Sequence, residues 1–341
     1  MENSEDVGSL SLSDLKGKGS KQDKTLKKLE ASLKEGDFYQ AHQIYRSVCN
    51  RFYNNGNYGK AIEMLYKGAL TLLKFEQYSS ASDLGIYLIK AYESSKTPIN
   101  EQSIQRLKEI IDGFPSTEKA RSFLITEALY WNIKSGSFKS GEPIFHDLLG
   151  DLYNKDGEFE QAEPHYIFGS EATGDNFGEF LYRWALSVTP LSFGYFLARG
   201  VLSKLVIGNA TSAILALNKF ISLLFENQKE VLVDSEAHKA SFVETKLPLV
   251  NFIQLLCTII TKDGSRDLFV KLRNQYSEHL VSDEFNFTEY MNKIGEIYFG
   301  IRIHRPVNIM QSLMESMFQQ PSSNPNALSI NSFSHDETDL D

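Results

Sequence analysis

Gly36-Asp37-Phe38-Tyr39-Gln40-Ala41, Gly56-Asn57-Tyr58-Gly59-Lys60-Ala61 and Glu76-Gln77-Tyr78-Ser79-Ser80-Ala81 are three versions of one phrase, starting 20 residues apart. Each sets an aromatic two positions after its first residue and an alanine three positions beyond that aromatic. A turn ends one helix, the aromatic is expected to wedge into the preceding helix pair, and the alanine lets the next helix approach closely. A fourth copy, Gly157-Glu158-Phe159-Glu160-Gln161-Ala162, comes much later. One helical hairpin of this size cannot bury its apolar face alone, so the recurrence predicts a stack. The expected fold is all-α: an α-solenoid of stacked, tetratricopeptide-like helical hairpins.

Outward from the phrases, apolar residues keep helical spacing. Ala41, Ile44, Tyr45, Val48, Cys49 and Phe52 stripe a helix over Phe38–Tyr53, and Ala61, Met64, Leu65, Ala69, Leu72 and Leu73 stripe Tyr58–Phe75. Before them, Lys21–Lys34 carries Leu26, Leu29 and Leu33 on one face and Lys21, Lys24, Lys27, Lys28 and Lys34 on the other. Ser79–Ser94 follows, Thr97-Pro98 breaks the run, and Glu101–Phe114 ends before Pro115. Ser116 is expected to cap a sixth helix containing Phe123 and Trp131. Past a turn-rich joint at Gly136–Gly141, helices are expected at Pro143–Asn154, the fourth phrase, Asn176–Val188, Ser192–Ile207 and Ala210–Phe225. Four more follow at Pro248–Thr261, Ser265–Leu280, Phe287–Gly300 and Asn308–Phe318. The helical period fails between Asn227 and Lys246. There Lys229–Val233 and Ala240–Glu244 flank a polar turn, which fits a short β-hairpin near 229–245 or a plain loop.

These readings divide the chain into a disordered leader (1–20), an N-terminal half of the solenoid (21–140), a C-terminal half (141–318) and a disordered acidic tail (319–341).

Composition narrows the function classes. The 341 residues are 42% hydrophobic and 23% charged, as in ordinary globular chains. A net charge of −9 argues against a phosphate-binding surface and so against nucleic acid. The first 15 residues are polar and acidic, unlike a secretory signal. The most apolar windows, Leu191–Ile207 and Leu247–Ile260, are short or interrupted by Arg199 and Lys204, so direct membrane insertion is not expected. Cys49 and Cys257 lie in apolar helical contexts, as buried free thiols of a reducing compartment would. A cytosolic protein is expected.

Catalytic patterns are lacking. Gly17-Lys18-Gly19-Ser20 has the wrong spacing for a phosphate loop. Seven histidines are scattered singly, with no His-x-x-x-His or Cys-x-x-Cys and no nucleophile elbow. Asp147 and Asp151 share a helix face, which usually means surface charge. No enzyme activity, cofactor or metal is expected.

Leu33-Lys34-Glu35-Gly36-Asp37-Phe38-Tyr39-Gln40-Ala41-His42-Gln43-Ile44-Tyr45-Arg46 closely resembles the start of the Golgi-to-ER traffic protein four family. The resemblance continues through Gly68-Ala69-Leu70, Ser82-Asp83-Leu84 and Gly141-Glu142-Pro143-Ile144-Phe145-His146-Asp147-Leu148-Leu149. It returns in Glu163-Pro164-His165-Tyr166-Ile167-Phe168, in Phe242-Val243-Glu244 with Leu249-Val250-Asn251-Phe252-Ile253, and in Ile294-Gly295-Glu296-Ile297-Tyr298-Phe299-Gly300. It covers roughly residues 24–318.

That resemblance implies a non-enzymatic helical adaptor in the targeting of tail-anchored proteins to the ER membrane. Its first helices are expected to dock the cytosolic targeting ATPase, and its C-terminal half to hold the N-terminal segment of a ubiquitin-like protein of the same pathway. Through these it would reach, indirectly, a tetratricopeptide co-chaperone and tail-anchored clients. By the matching blocks, Tyr39, His42, Arg46 and Asp83 belong to the ATPase face, the alternative being helix-surface or solenoid packing. Phe242, Val243, Leu249 and Phe252 are candidates for the ubiquitin-like partner, with local core filling the alternative for Leu249 and Phe252. Without the resemblance, the reading is a generic tetratricopeptide-like scaffold binding a peptide in another cytosolic complex.

Overall fold

The repeated phrase is a helix-to-helix turn with one backbone solution. Gly36, Gly56 and Gly157 all stand in the left-handed region, at φ 76°, 71° and 79°. Glu76, in the same place of the third copy, is forced there too, at φ 58°. In each copy the next residue's N–H reaches back to the preceding helix, as in Asp37 N to Ser32 O (2.9 Å) and Gln77 N to Leu72 O (2.9 Å). These are the bonds that satisfy the last carbonyls of a helix. The alanine then closes the first turn of the new helix: Ala41, Ala61, Ala81 and Ala162 donate to residues 37, 57, 77 and 158. All four alanines are fully buried, as the phrase predicts. A fifth copy, Gly208 to Ala213, has the same left-handed glycine (φ 84°) and buried alanine but no aromatic.

The aromatics differ from expectation. Tyr58 packs back onto Tyr53, with centroids 5.3 Å apart, as a wedge into the preceding helix would. Phe38, Tyr78 and Phe159 instead reach forward, to Phe75, Phe114 and Phe180. Each stands near the start of its helix and meets a helix that comes later in the chain, Phe38 and Tyr78 at its end and Phe159 along the middle of α9.

This computed structural model describes residues 20–188, 192–233, 242–282, 285–301 and 309–318. Residues 1–19 of the leader, the tail from 319 and the turn at 234–241 lie outside the described residues. The chain forms two compact units, residues 1–145 and 146–341.

In the first unit α1 (Ser20–Glu35), α2 (Phe38–Asn54), α3 (Tyr58–Lys74) and α4 (Tyr78–Ser95) pack each on the next, followed by α5 (Glu101–Asp112) and α6 (Lys119–Ser135). Contacts of α2 with α4 and α4 with α6, and of α3 with α5, stack alternate helices into two layers. Lys96 takes a left-handed cap (φ 53°) before Pro98, and Asn100 and Ser103 form a capping box that starts α5. Glu118, rather than the expected Ser116, caps α6 by accepting from Ala120 N.

The second unit is built around α10. Its helices are α7 (Pro143–Asp156, whose first turn crosses the unit boundary), α8 (Phe159–Phe168), α9 (Gly174–Val188), α10 (Phe193–Val206) and α11 (Ala210–Asn227). They continue with α12 (Pro248–Thr261), α13 (Arg266–Gln275), α14 (Ser277–Leu280), α15 (Thr288–Phe299) and α16 (Ile309–Ser316). Twelve residues of α10 are buried, and it touches α8, α9, α11, α12 and α15. A helix apolar almost all round belongs inside. Its less buried residues, Tyr195 and Arg199, sit one turn apart, and Arg199 pairs with buried Glu163. The continuous helix expected over Ser265–Leu280 is interrupted at Tyr276, giving α13 and α14.

Two glycines let α9 approach α11 closely. A methyl on Gly178 would lie 2.3 Å from the Ala216 carbonyl oxygen, and one on Gly174 2.7 Å from Leu215 Cβ. Two glycines four apart on one helix face bring the backbones together. Cys49 and Cys257 are buried free thiols, as expected, and burial pushes both up to about 12.

Candidate partner-binding surfaces

On the first unit, Tyr39, His42 and Arg46 recur at three- and four-residue spacing along α2, so they share one face. Asp83, in the first turns of α4, meets two of them: its Oδ2 lies 2.9 Å from His42 Nε2 and its Oδ1 accepts from Arg46 Nη1 at 2.6 Å. Arg46 and Asp83 are substantially exposed, with side-chain accessibilities of 48% and 38%. Exposed ion pairs contribute only about 0–1 kcal/mol, so this cluster is a weak reason for α2 and α4 to associate. It nevertheless pre-positions charge at the surface. Tyr39 stands one turn away and is 76% exposed. The sequence-predicted quartet is therefore one surface, three of its members already joined.

On the second unit, a cavity of about 520 Å³ opens between α11 and α12. Ile214, Leu217, Ile221 and Phe225 line it from α11, and Cys257, Thr258 and Thr261 from α12. Glu226 and Lys262 add opposite charges to its lining. Val243 completes it, and two amide side chains of α12 hold the segment that carries Val243. Gln254 accepts from Val243 N (2.9 Å) and donates to Val243 O (2.8 Å). Asn251 does the same for Thr245, at 2.9 and 2.7 Å. A bidentate amide replaces a neighbouring strand, leaving the backbone fixed without a sheet.

Among the described residues the segment pairs antiparallel with the chain after α11 through the bridge of Leu232 with Thr245, plus Val233 N to Glu244 O and Lys246 N to Val231 O. Of the two arms expected for a hairpin, Lys229–Val231 is a turn of 3-10 helix, and pairing begins only at Val231.

The four sequence-predicted residues of this region separate. Val243 lines the groove and Phe242, beside it, is half-buried. Leu249 is packed against α10 at Gly194, and Phe252 is fully buried with its ring 5.5 Å from Tyr276. Phe252 thus belongs to the core, and Leu249 packs partly buried against it. Sequence reading missed the α11 wall. Its signal was present: α11 carries more apolar residues than one core-facing stripe needs.

It missed His146 and His165 too, which are not scattered but meet inside the second unit, Nδ1 to Nδ1 at 3.0 Å. Asp147 and Asp151 are likewise more than surface charge. Asp147 Oδ1 accepts from Ser170 N and Thr173 Oγ1, both at 2.8 Å, and Asp151 accepts from Tyr166 Oη at 2.7 Å. Among the described residues no acidic, histidine or cysteine group is arranged to hold a metal ion, and no helix is long and apolar enough to cross a membrane.

Left-handed turns between stacked helices, a charged helix face and an apolar groove define an α-solenoid with surfaces suited to other proteins. The family model for Golgi to ER traffic protein 4 matches residues 55–318. Golgi to ER traffic protein 4 of Schizosaccharomyces pombe is 30% identical over 90% of this chain and 99% of its own length. The human homolog is 28% identical, covering 86% of this chain and 87% of its own. A crystal structure of C. therm. Get4 superposes with a TM-score of 0.77 at 28% identity, over 89% of this chain and 97% of that one. The chain belongs to the Golgi to ER traffic protein 4 family.

Proposed function

We propose that this protein is a non-enzymatic cytosolic adaptor with two working surfaces. Its N-terminal half (21–140) docks the cytosolic targeting ATPase through the α2–α4 face. Its C-terminal half (141–318) holds the N-terminal segment of a ubiquitin-like protein in the α11–α12 groove. The bridge brings a tetratricopeptide co-chaperone and its tail-anchored client to the ATPase for delivery to the ER membrane. The observation that carries this reading is the groove: an apolar trough of about 520 Å³ with a backbone edge fixed by Gln254. Such a trough suits the apolar face of an amphipathic segment, with flanking charges setting its direction.

The test uses the full chain. Ile221→Glu puts a charge on the groove wall and is expected to abolish capture of the ubiquitin-like partner while leaving the ATPase bound. Reversing both charges of the other face, Arg46→Glu with Asp83→Arg, is expected to slow ATPase association at low salt and leave the ubiquitin-like partner unaffected. If folded variants lose neither partner, the assignment of surfaces is wrong.

A further inference from the structure

The α11–α12 groove has two chemically different ends. Pairing of Val231–Val233 with Glu244–Lys246 sets the end of α11 beside the start of α12. Glu226 therefore stands at that end, where Ser222 donates to it, and Lys262 lies at the other, just past α12. Among the described residues no carboxylate lies within ion-pair distance of Lys262. Between the two ends the α11 wall runs from Ile214 to Phe225, about 16 Å of helix. Ile214, Ile221, Phe225 and Val243 are only partly buried there.

The chain carries a segment with the matching order. Residues 319–341 contain no lysine or arginine, and in them Leu328, Ile330 and Phe333 are followed by Asp336, Glu337 and Asp339. Extended, the chain from Leu328 to Phe333 spans about 16 Å, the length of the wall. Leu328 and Phe333 lie ten and fifteen residues beyond Phe318, so extended chain carries them up to about 33 and 50 Å from it. The path lies within one unit. α16 packs on α8, α8 on α10, and α10 on both α11 and α12. Three steps between packed helix axes amount to about 30 Å, within that reach.

We propose that the segment Leu328–Phe333 of this same chain lies in the α11–α12 groove and must leave before another protein's segment can enter. Its apolar side chains cover Ile214, Ile221, Phe225 and Val243. The acids that follow Phe333 go to the Lys262 end, which puts Leu328 at the Glu226 end; charge fixes the direction. A tether this short holds the segment at about millimolar effective concentration, so weak contacts suffice to fill the groove. The competition rests on the reading of this groove as the site of the ubiquitin-like partner; the docking does not.

Because Cys49 and Cys257 are buried, a nitroxide on Ser334→Cys of the full chain marks one position. The methyl NMR signals of Ile214 and Ile221 are expected to broaden, and to recover when the label is reduced. Adding Leu328→Asp with Phe333→Asp should abolish the broadening. The same two substitutions should raise affinity for the ubiquitin-like partner at least about twofold, since a groove filled half the time or more shows at most half its intrinsic affinity. Methyl signals that ignore the label overturn the proposal, as does broadening that survives both substitutions. Broadening seen only when spin-labelled and isotope-labelled chains are mixed makes the occupant a second copy, and overturns it too. If Ile221→Glu abolishes partner capture but the tail substitutions leave affinity unchanged, the competition is refuted and the reading of the groove stands. If Ile221→Glu leaves capture intact, that reading fails, and the methyl signals still decide the docking.

Discussion

Replacing Lys204 by methionine should stabilise the second unit at pH 7 and destabilise it above pH 10. Lys204 has no exposed surface, donates to Gly169 O at 3.1 Å and stands 5.8 Å from the centroid of Phe177. Burial lowers its amine to about 8, with Asp147 and Glu171 opposing the shift. Holding the ammonium inside at neutral pH therefore costs about 3 kcal/mol relative to the unfolded chain. Methionine keeps the length and volume, removes that charge and loses one hydrogen bond, at about 1–2 kcal/mol for the stranded carbonyl. The net expectation at pH 7 is a gain of about 1–2 kcal/mol.

The sign then changes with pH. Between about 8 and 10.5 the unfolded chain retains a proton that folded Lys204 releases, so the wild type gains stability as pH rises through that window. Near pH 10.5 its penalty is gone while its hydrogen bond remains, and methionine becomes the worse residue. Urea unfolding at several pH values measures this, followed by Trp184 in a Trp131→Phe background so that only the second unit reports. The thiols and phenols that titrate in the same range cancel in the difference between the two proteins. A difference that does not vary with pH, or a methionine variant already less stable at pH 7, refutes the reasoning.

Other positions offer independent checks. Glu76→Gly relieves a left-handed residue (φ 58°) and should stabilise the first unit by about 0.5–1 kcal/mol, measured as a rise in thermal midpoint. Gly178→Ala places a methyl against the Ala216 carbonyl and should cost about 2–4 kcal/mol in denaturant unfolding despite alanine's better helix propensity. Cys49 and Cys257, pushed up to about 12 by burial, should resist a thiol reagent at pH 8 until urea unfolds the chain; rapid modification of the native protein would contradict their burial.

The fold was legible wherever a local rule repeats. Left-handed turns need glycine or tolerate strain, and helices that meet closely need alanine, so the phrase at Gly36 could be read from six residues. The same rule has an exception that hid the copy at Gly208: its turn and buried alanine are intact, but Ala210 stands where the others have an aromatic. The aromatic turns out to be the dispensable part, because the turn bonds are made by the backbone. The direction in which the aromatics pack was not readable either, since it depends on which later helix passes beside them.

Site residues divide along the same line. Tyr39, His42 and Arg46 share a face by helical periodicity, and only Asp83 had to be brought from elsewhere, by a repeat of known pitch. The groove obeys no such rule. Its walls come from α11 and α12, its edge from a segment held by Gln254 and Asn251, and a glutamine in an apolar helix carries no sequence signal that it will grip a backbone. Leu249 and Phe252 are as apolar as the groove-lining Val243, so composition alone cannot say which apolar residue lines the groove and which packs inward. Residues 19 apart formed the histidine contact for the same reason: α7 and α8 meet through side chains that neither helix alone predicts. What a helical repeat makes periodic can be read from the chain; what two different helices make together cannot. The two candidate surfaces follow that division, with the α2–α4 face largely on the readable side and the α11–α12 groove on the other.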